Sequence, residues 1–277
     1  MPFRKFFSQR LLAHDIDYVC DLFSPFRLQK SNNLSDQGNA VRSLLGIILD
    51  YVLTNNSSLL RFTQSQRLQE LFFFTLLRGE LSSYLEAGAN DGILYSNTYG
   101  FYSVFDCYGI CIEANPRLYQ ALEKNRPTSI NMNAALTSRS GEQILIINNS
   151  SHGLFGSVTL YSDDLLSDNC IGERSLVKSI TITDVLESHS LSNLSFLSLD
   201  IEGSEIDALS VLTHPIFHTA CIEVNSLAQK EAVASLLTRL GYSCYHYPFA
   251  TNELVAISSF SGLNIDIIGI LDQYFAL

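Results

Sequence analysis

The period of the apolar residues changes near residue 81. Before it, "LSDQGNAVRSLLGIILDYVLTNN" places Val41, Leu44, Leu45, Ile48, Leu49 and Val52 on one helical face, with Ser35 or Asp36 positioned as N-cap. "TQSQRLQELFFFTLLRGE" repeats the pattern through Leu68, Leu71, Phe72, Leu76 and Leu77 and stops at Gly79. Neither helix carries a cluster that suggests chemistry. Residues 1–80 therefore read as a helical N-terminal extension whose apolar faces cover the rest of the chain or form a homodimer contact.

From 81 to 277 short apolar runs alternate with helical stretches. Runs at 83–87, 108–114, 130–136, 143–148, 196–202 and 219–224 read as buried strands, and 96–106, 116–125, 204–212 and 227–240 as helices. A near-continuous apolar strand followed by a helix, repeated, is the pattern of a parallel sheet covered on both faces. "YSCYHYP" followed closely by "ELVAISSF" predicts an antiparallel hairpin at the sheet edge. The fold class is α/β, with one domain over 81–277 behind the helical extension.

Composition narrows the function. At 47% hydrophobic and 16% charged residues, the chain is expected to fold into a globular body. A formal charge of −11 repels phosphate backbones, so nucleic acid is not the expected partner. The six cysteines, Cys20, Cys107, Cys111, Cys170, Cys221 and Cys244, form no C-x-x-C pair, which suits reduced thiols in a cytoplasmic protein. "MPFRKFFSQRLL" lacks the apolar core and cleavage site of a secretion signal. No apolar run approaches the ~20 residues that span a bilayer, so no transmembrane segment is expected.

The candidate chemistry begins at "YLEAGANDG". Glu86, Gly88, Asn90, Asp91 and Gly92 fall where the strand at 83–87 ends, the position at which open α/β sheets bind ligands. Gly88 and Gly92 allow a sharp turn and close ligand approach, and Asn90 tolerates a left-handed backbone. Alone this is a tight strand-to-helix turn and a weak signal. Glu113 adds to it: 25 residues after Gly88, at the end of "CIEANP", its carboxylate could accept both ribose hydroxyls. A dinucleotide pyrophosphate prefers G-x-G-x-x-G without acids. Here Glu86 and Asp91 suit a cofactor bearing an amine and a sulfonium, S-adenosylmethionine.

"YLEAGANDGILYSNTYGFY", "YGICIEANPRLYQALEKNRP", "INMNAAL" and "FLSLDIEGSEIDAL" resemble the successive motifs of the FkbM-like methyltransferases, over about residues 62–257. The resemblance implies a Rossmann-like class I methyltransferase sheet of seven strands, the last antiparallel, using S-adenosyl-L-methionine. It further implies that Glu86, Gly88 and Asn90 line the methionine end of the cofactor, that Glu113 binds the ribose, and that Asn133 and Ala134 lie near adenine. Gly92 belongs to the same cofactor turn. "NSSHGLFGSV" departs from the family, placing Phe155-Gly156 where relatives often carry Ser-Gly.

For the chemical step, "LDIEG" puts Asp200 and Glu202 at the end of the central strand, with Gly203 to bend the chain so that both face the cleft. Both are catalytic candidates, and Asp200 is a cofactor-side candidate as well; His152, in the glycine loop, is the third candidate base. Glu202 and Glu205 could instead cap the following helix. With Glu223 and Asn225, Asp200 and Glu202 could hold a divalent metal such as Mg²⁺, an arrangement that is not favoured. The leading function is O-methylation of a hydroxyl on a small molecule, a sugar unit or secondary metabolite. The rival is a non-catalytic scaffolding relative that assembles through its helical N-terminus.

Overall fold

A computed structural model describes residues 36–148, 156–160, 173–259 and 262–277. The helical spacing at the start becomes α1 (Asp36–Asn55), which buries Leu44, Leu45, Ile48, Leu49 and Val52. Ser35 lies outside the described residues. After α2 (Leu59–Phe62) comes α3 (Gln69–Leu76), all eight residues of which are buried. Such a helix must be covered on every side. Phe73 packs on Phe196 with ring centroids 4.5 Å apart, while Phe74 meets Tyr51 of α1 at 5.6 Å. Glu70, fully buried, accepts hydrogen bonds from the Gly100 amide and the Thr63 hydroxyl, joining α3 to the next helical turn. The chain then leaves α3 through left-handed Gly79.

The next elements are β1 (Ser83–Ala87), α4 (Tyr99–Val104), β2 (Tyr108–Ile112), α5 (Pro116–Asn125), β3 (Ile130–Met132) and β4 (Ala135–Leu136). They are followed by β5 (Gln143–Asn148), β6 (Gly156–Leu160), β7 (Glu173–Ile180), α6 (Ile182–Ser188) and β8 (Leu194–Leu199). The last are α7 (Glu205–Leu209), β9 (Phe217–Glu223), α8 (Leu227–Arg239), β10 (Ser243–His246), β11 (Glu253–Ile257) and α9 (Ile265–Tyr274). The main sheet has the order β10-β11-β9-β8-β1-β2-β3. Only β11 runs against its neighbours, and its pairing with β10 is the antiparallel hairpin expected from the sequence. The mostly parallel, seven-stranded Rossmann-like arrangement is thus present among the described residues.

Successive side chains of the strands point to opposite faces. Tyr84, Cys111, Phe196 and Val255 face α1, α3, α4 and α9, whereas Leu85, Ile110, Leu197 and Ile222 face the layer of α6, α7 and α8. The N-terminal helices thus share one core with the sheet. No helix among the described residues is long and apolar enough to cross a membrane.

One run departs from expectation. Residues 143–148 do not continue the parallel series; β5 pairs antiparallel with β6 and β7 in a second sheet of order β4-β7-β5-β6. Six residues separate β4 from β5, too few for the crossover that a parallel partner requires. The run 130–136 is also split. Asn133 donates from Nδ2 to the carbonyls of Glu113 (2.8 Å) and Ala114 (3.1 Å), which turns the chain away from the main sheet after β3. Helix α9 was not evident in the sequence pattern.

A buried ion pair underlies the carboxyl end of β1. Glu86 and Arg126 lie 3.3 Å apart, both almost wholly excluded from solvent. Arg126 also donates from Nε to the Gly92 carbonyl (2.6 Å), from one terminal nitrogen to Thr98 Oγ1 (2.7 Å) and from the other to Ser96 Oγ. Removing one member of such a pair strands the other. Arg126→Met should therefore lower stability by about 3–5 kcal/mol, read from urea unfolding; a loss below ~1 kcal/mol would show that the pair is not needed. Ile48→Ala tests the shared core: a loss of about 2–5 kcal/mol is expected, and unchanged stability would mean that α1 is an appendage.

Candidate active site

A cleft of about 330 Å³ opens over the carboxyl ends of β1, β2, β8 and β9, beside the β1/β8 boundary where the chain reverses its direction of crossover. Gly88, at φ +81°, lines it. A Cβ on Gly88 would lie 1.8 Å from the backbone oxygen of Asp200, so the close approach that demands glycine is that of β8 itself. Asn90 has φ +52°, the left-handed conformation expected of it, and also lines the cleft. Gly92, at φ +83°, is turned toward α5, where a Cβ would meet Leu122 at 2.7 Å.

The two acids of this turn are engaged beneath it. Glu86 is not among the cleft-lining residues; besides Arg126, its oxygens accept from Ser96 Oγ, Thr98 Oγ1 (2.7 Å) and the Asn97 amide (2.6 Å). Asp91 Oδ1 accepts from the amides of Ile93 (2.9 Å) and Leu94 (2.7 Å), which folds the turn. Ser96 and Asn97 do reach the cleft, so Glu86 supports its wall from behind.

Glu113 faces the cleft from the end of β2. Its oxygens accept the amides of Asn90 (2.8 Å) and Asn115 (2.7 Å), linking the β1 and β2 turns and leaving acceptor capacity on both. Burial raises its pKa to about 7, against the opposing pull of those amides. Ala134, Leu136, Ile112 and Leu118 supply apolar surface nearby, whereas Asn133 is spent on the carbonyls that it bridges.

On the far side of Gly88 the acids converge. Asp200, Glu202 and Glu223 each offer an oxygen within 4.8 Å of the others. The bend expected at Gly203 is made by two residues, Glu202 at φ +54° and Gly203 at φ +104°, which bring the Glu202 carboxyl back beside Asp200. Glu205 holds that bend by accepting from the amides of Ile201 and Gly203, both at 3.1 Å, and so serves the loop. Asn252 Nδ2 donates to Glu223 Oε1 at 2.8 Å. Desolvation in the cleft, then Glu223, Glu202 and Glu205, push the Asp200 pKa far above the carboxylate range, although its surface opens into the cleft. Desolvation followed by Glu223 and Glu205 raises Glu202 to about 7. The three oxygens form a set that could also share a hard divalent cation.

Other expected residues are elsewhere. His152 lies outside the described residues, as do Cys20, Cys170 and Phe155. Asn225 does not line the cleft, and neither do His214, His218 or His246. The sequence pattern missed Arg67, Gln69 and Glu253, which form the wall beyond β9, and Leu94 and Tyr95, which stand exposed at its rim. Glu253 carried a readable signal, an acid opening an otherwise apolar strand. Gln69 carried none, sitting in a helix of buried residues.

No curated protein sequence matches the chain at a significant level. Among solved structures, a methyltransferase FkbM from Methylobacillus flagellatus KT is similar over 90% of this chain and 72% of its own, at 14% identity and a TM-score of 0.40. A precorrin-6y C5,15-methyltransferase from Geobacter metallireducens GS-15 is similar over 72% of this chain and 92% of its own, at 9% identity and a TM-score of 0.39. A putative RNA methyltransferase from Pyrococcus horikoshii is similar over 91% of this chain and the whole of its own, at 11% identity and a TM-score of 0.36. The family model described as the methyltransferase FkbM domain matches residues 86–244, from the last acid of β1 to β10. That segment is more than half of the chain and contains both the glycine turn and the acids that follow β8, so the protein belongs to the FkbM methyltransferase family.

Proposed function

We propose that this methyltransferase uses S-adenosyl-L-methionine to methylate a hydroxyl of a small molecule, a sugar unit or secondary metabolite. The observation that carries the reading is the group Asp200, Glu202 and Glu223 beside Gly88. When bound, S-adenosylmethionine supplies a methyl group on a sulfonium. The cleft residues suit such a ligand: Glu113 can accept ribose hydroxyls, flanking Ala134 and Leu136 offer apolar surface to a base, and the acid group favours positive charge. A volume of about 330 Å³ falls within the roughly 300–1,000 Å³ usual for such sites. The same acids, with a net charge of −11, support a small acceptor over nucleic acid.

In this reading Asp200 accepts the hydrogen bond of the acceptor hydroxyl and orients its oxygen. The proton moves to Asp200 Oδ as the oxygen gains its methyl group, and leaves through the open cleft. A carboxylate with a raised pKa is a stronger base once unprotonated, and desolvation, then crowding by Glu223 and Glu202, raise that of Asp200. Glu86 contributes indirectly by fixing Ser96 and Asn97.

Two variants and two changes of condition test this. Glu113→Gln should weaken calorimetric binding of S-adenosylhomocysteine by about 1–3 kcal/mol while the fold melts normally; unaltered affinity would remove Glu113 from the cofactor site. Asp200→Asn should retain that affinity and lower turnover by about 10²–10⁴-fold. The base works unprotonated, and desolvation and neighbouring acids hold the Asp200 pKa far above the carboxylate range, so wild-type turnover should rise as pH climbs from neutral into the alkaline range. Loss of activity in EDTA, restored by Mg²⁺, would route the same acids through a metal. Full turnover in Asp200→Asn would refute both routes.

A further inference from the structure

The acids of the cleft face a single cation. Among the described residues that line it, Glu113, Asp200, Glu202, Glu223 and Glu253 are acidic and Arg67 alone is basic. No ion pair of Arg67 occurs among the described residues. Desolvation raises the Glu253 pKa, and Arg67 lowers it by less than the hydrogen bonds from Cys221 and Gln69 do. The guanidinium thus acts on the nearest acid from beyond ion-pair distance. Arg67 is exposed, yet its backbone is held at both ends. Its amide donates to Gln69 Oε1 at 2.8 Å, and its carbonyl accepts from the hydroxyl of buried Tyr247 at 2.6 Å. The next residue, buried Leu68, has φ +66°, a left-handed conformation that leucine seldom adopts. Such a conformation persists where its surroundings over-determine it, as they do at many ligand sites.

Strand order places this loop. Gln69 Nε2 donates at 2.7 Å to Glu253, the residue that opens β11. Glu113 follows β2, and the strands run in the order β2, β1, β8, β9, β11. Arg67 therefore stands across Asp200 from the nucleoside side. An anionic group entering the cleft is repelled by every charged residue lining it except this one. A guanidinium takes a carboxylate through two parallel N–H···O bonds. One guanidinium balances the single charge of a carboxylate, whereas a phosphate monoester carries about −1.5 to −2 and would leave excess charge beside the acids. The methionine carboxylate of the cofactor fits less well, because it shares its carbon with an ammonium that would be brought toward the guanidinium.

We propose that Arg67 is the anion-binding group of the acceptor site and holds a carboxylate on the molecule whose hydroxyl is presented to Asp200. The proposal rests on the O-methyl transfer reading and gives its acceptor a charge: the substrate class is a hydroxy acid. Arg67 determines specificity and takes no part in the proton transfer. Because its backbone is fixed, the side chain has less freedom to lose when the carboxylate binds.

The test is a saturation-transfer NMR titration of the ω-hydroxy acids from glycolate to 6-hydroxyhexanoate, with and without S-adenosylhomocysteine. Each acid is compared with its primary amide and with the hydroxyalkyl phosphate of matched length. The best-fitting acid should bind the wild type about tenfold more tightly than its amide, the effect of one charge-assisted contact, and more tightly than its phosphate. Arg67→Gln should abolish the preference for acid over amide, and Arg67→Lys should keep part of it. S-adenosylhomocysteine affinity and melting temperature should be unchanged in both. Equal binding of acid and amide at every length overturns the proposal, as does a preference that survives in Arg67→Gln. Tighter binding of the phosphate overturns the carboxylate assignment. A loss of S-adenosylhomocysteine affinity in folded Arg67→Gln, absent for the decarboxylated analogue, overturns it by giving Arg67 to the cofactor. Failure of the wild type to bind S-adenosylhomocysteine would count against the methyl-transfer reading instead, and the titration without it judges Arg67 separately.

Discussion

The charge of Arg126 has to be met inside the protein, and the cleft is shaped by how that is done. A buried ion pair contributes little net stability, because desolvating both partners offsets their attraction. Its consequence here is geometric. Arg126 follows α5, Glu86 sits near the end of β1, and the segment carrying Gly92, Ser96 and Thr98 is drawn down onto both. Tyr99 and Tyr102 lie 5.6 and 5.5 Å from the guanidinium carbon and close the apolar side of the pair. The wall formed by Ser96 and Asn97 thus rests on a fixed charge rather than on a free loop.

The acids of the site fall into two kinds. Glu86 and Glu205 are saturated by internal donors and hold loops in place. Glu113, Asp200, Glu202 and Glu253 face the cleft with raised pKa values, because protein has displaced their water and, around Asp200, like charges crowd them. Perturbation of that sort concentrates where ligands supply the missing partner. The division separates scaffold from chemistry more sharply than distance along the chain does.

It also explains what the sequence allowed to be read. The strand and helix alternation, the edge hairpin, left-handed Asn90 and the place of Glu113 follow from local pattern, and the structure contains them. From nearness in sequence alone, the acids near Gly88 read as facing a cofactor. Side-chain direction decides otherwise: Glu86 meets Arg126, a partner 40 residues away and absent from any local motif, and Asp91 closes its own turn. Strand 143–148 matched a buried run, yet its partners depend on segments that follow it. Gln69 and Glu253 met for the same reason, through packing of α3 on the sheet, which no spacing rule encodes.

The hydrogen bond between Gln69 and Glu253 joins two segments that both lie outside residues 86–244, the stretch shared with the family. The portion of the cleft within that stretch, from the glycine turn to the acids that follow β8, is locked where Gly88 meets the Asp200 backbone. The opposite wall is assembled from the chain's own flanks. Substitutions at positions 66–69 and 251–253 therefore reshape that wall without touching the contact that locks the glycine turn against Asp200.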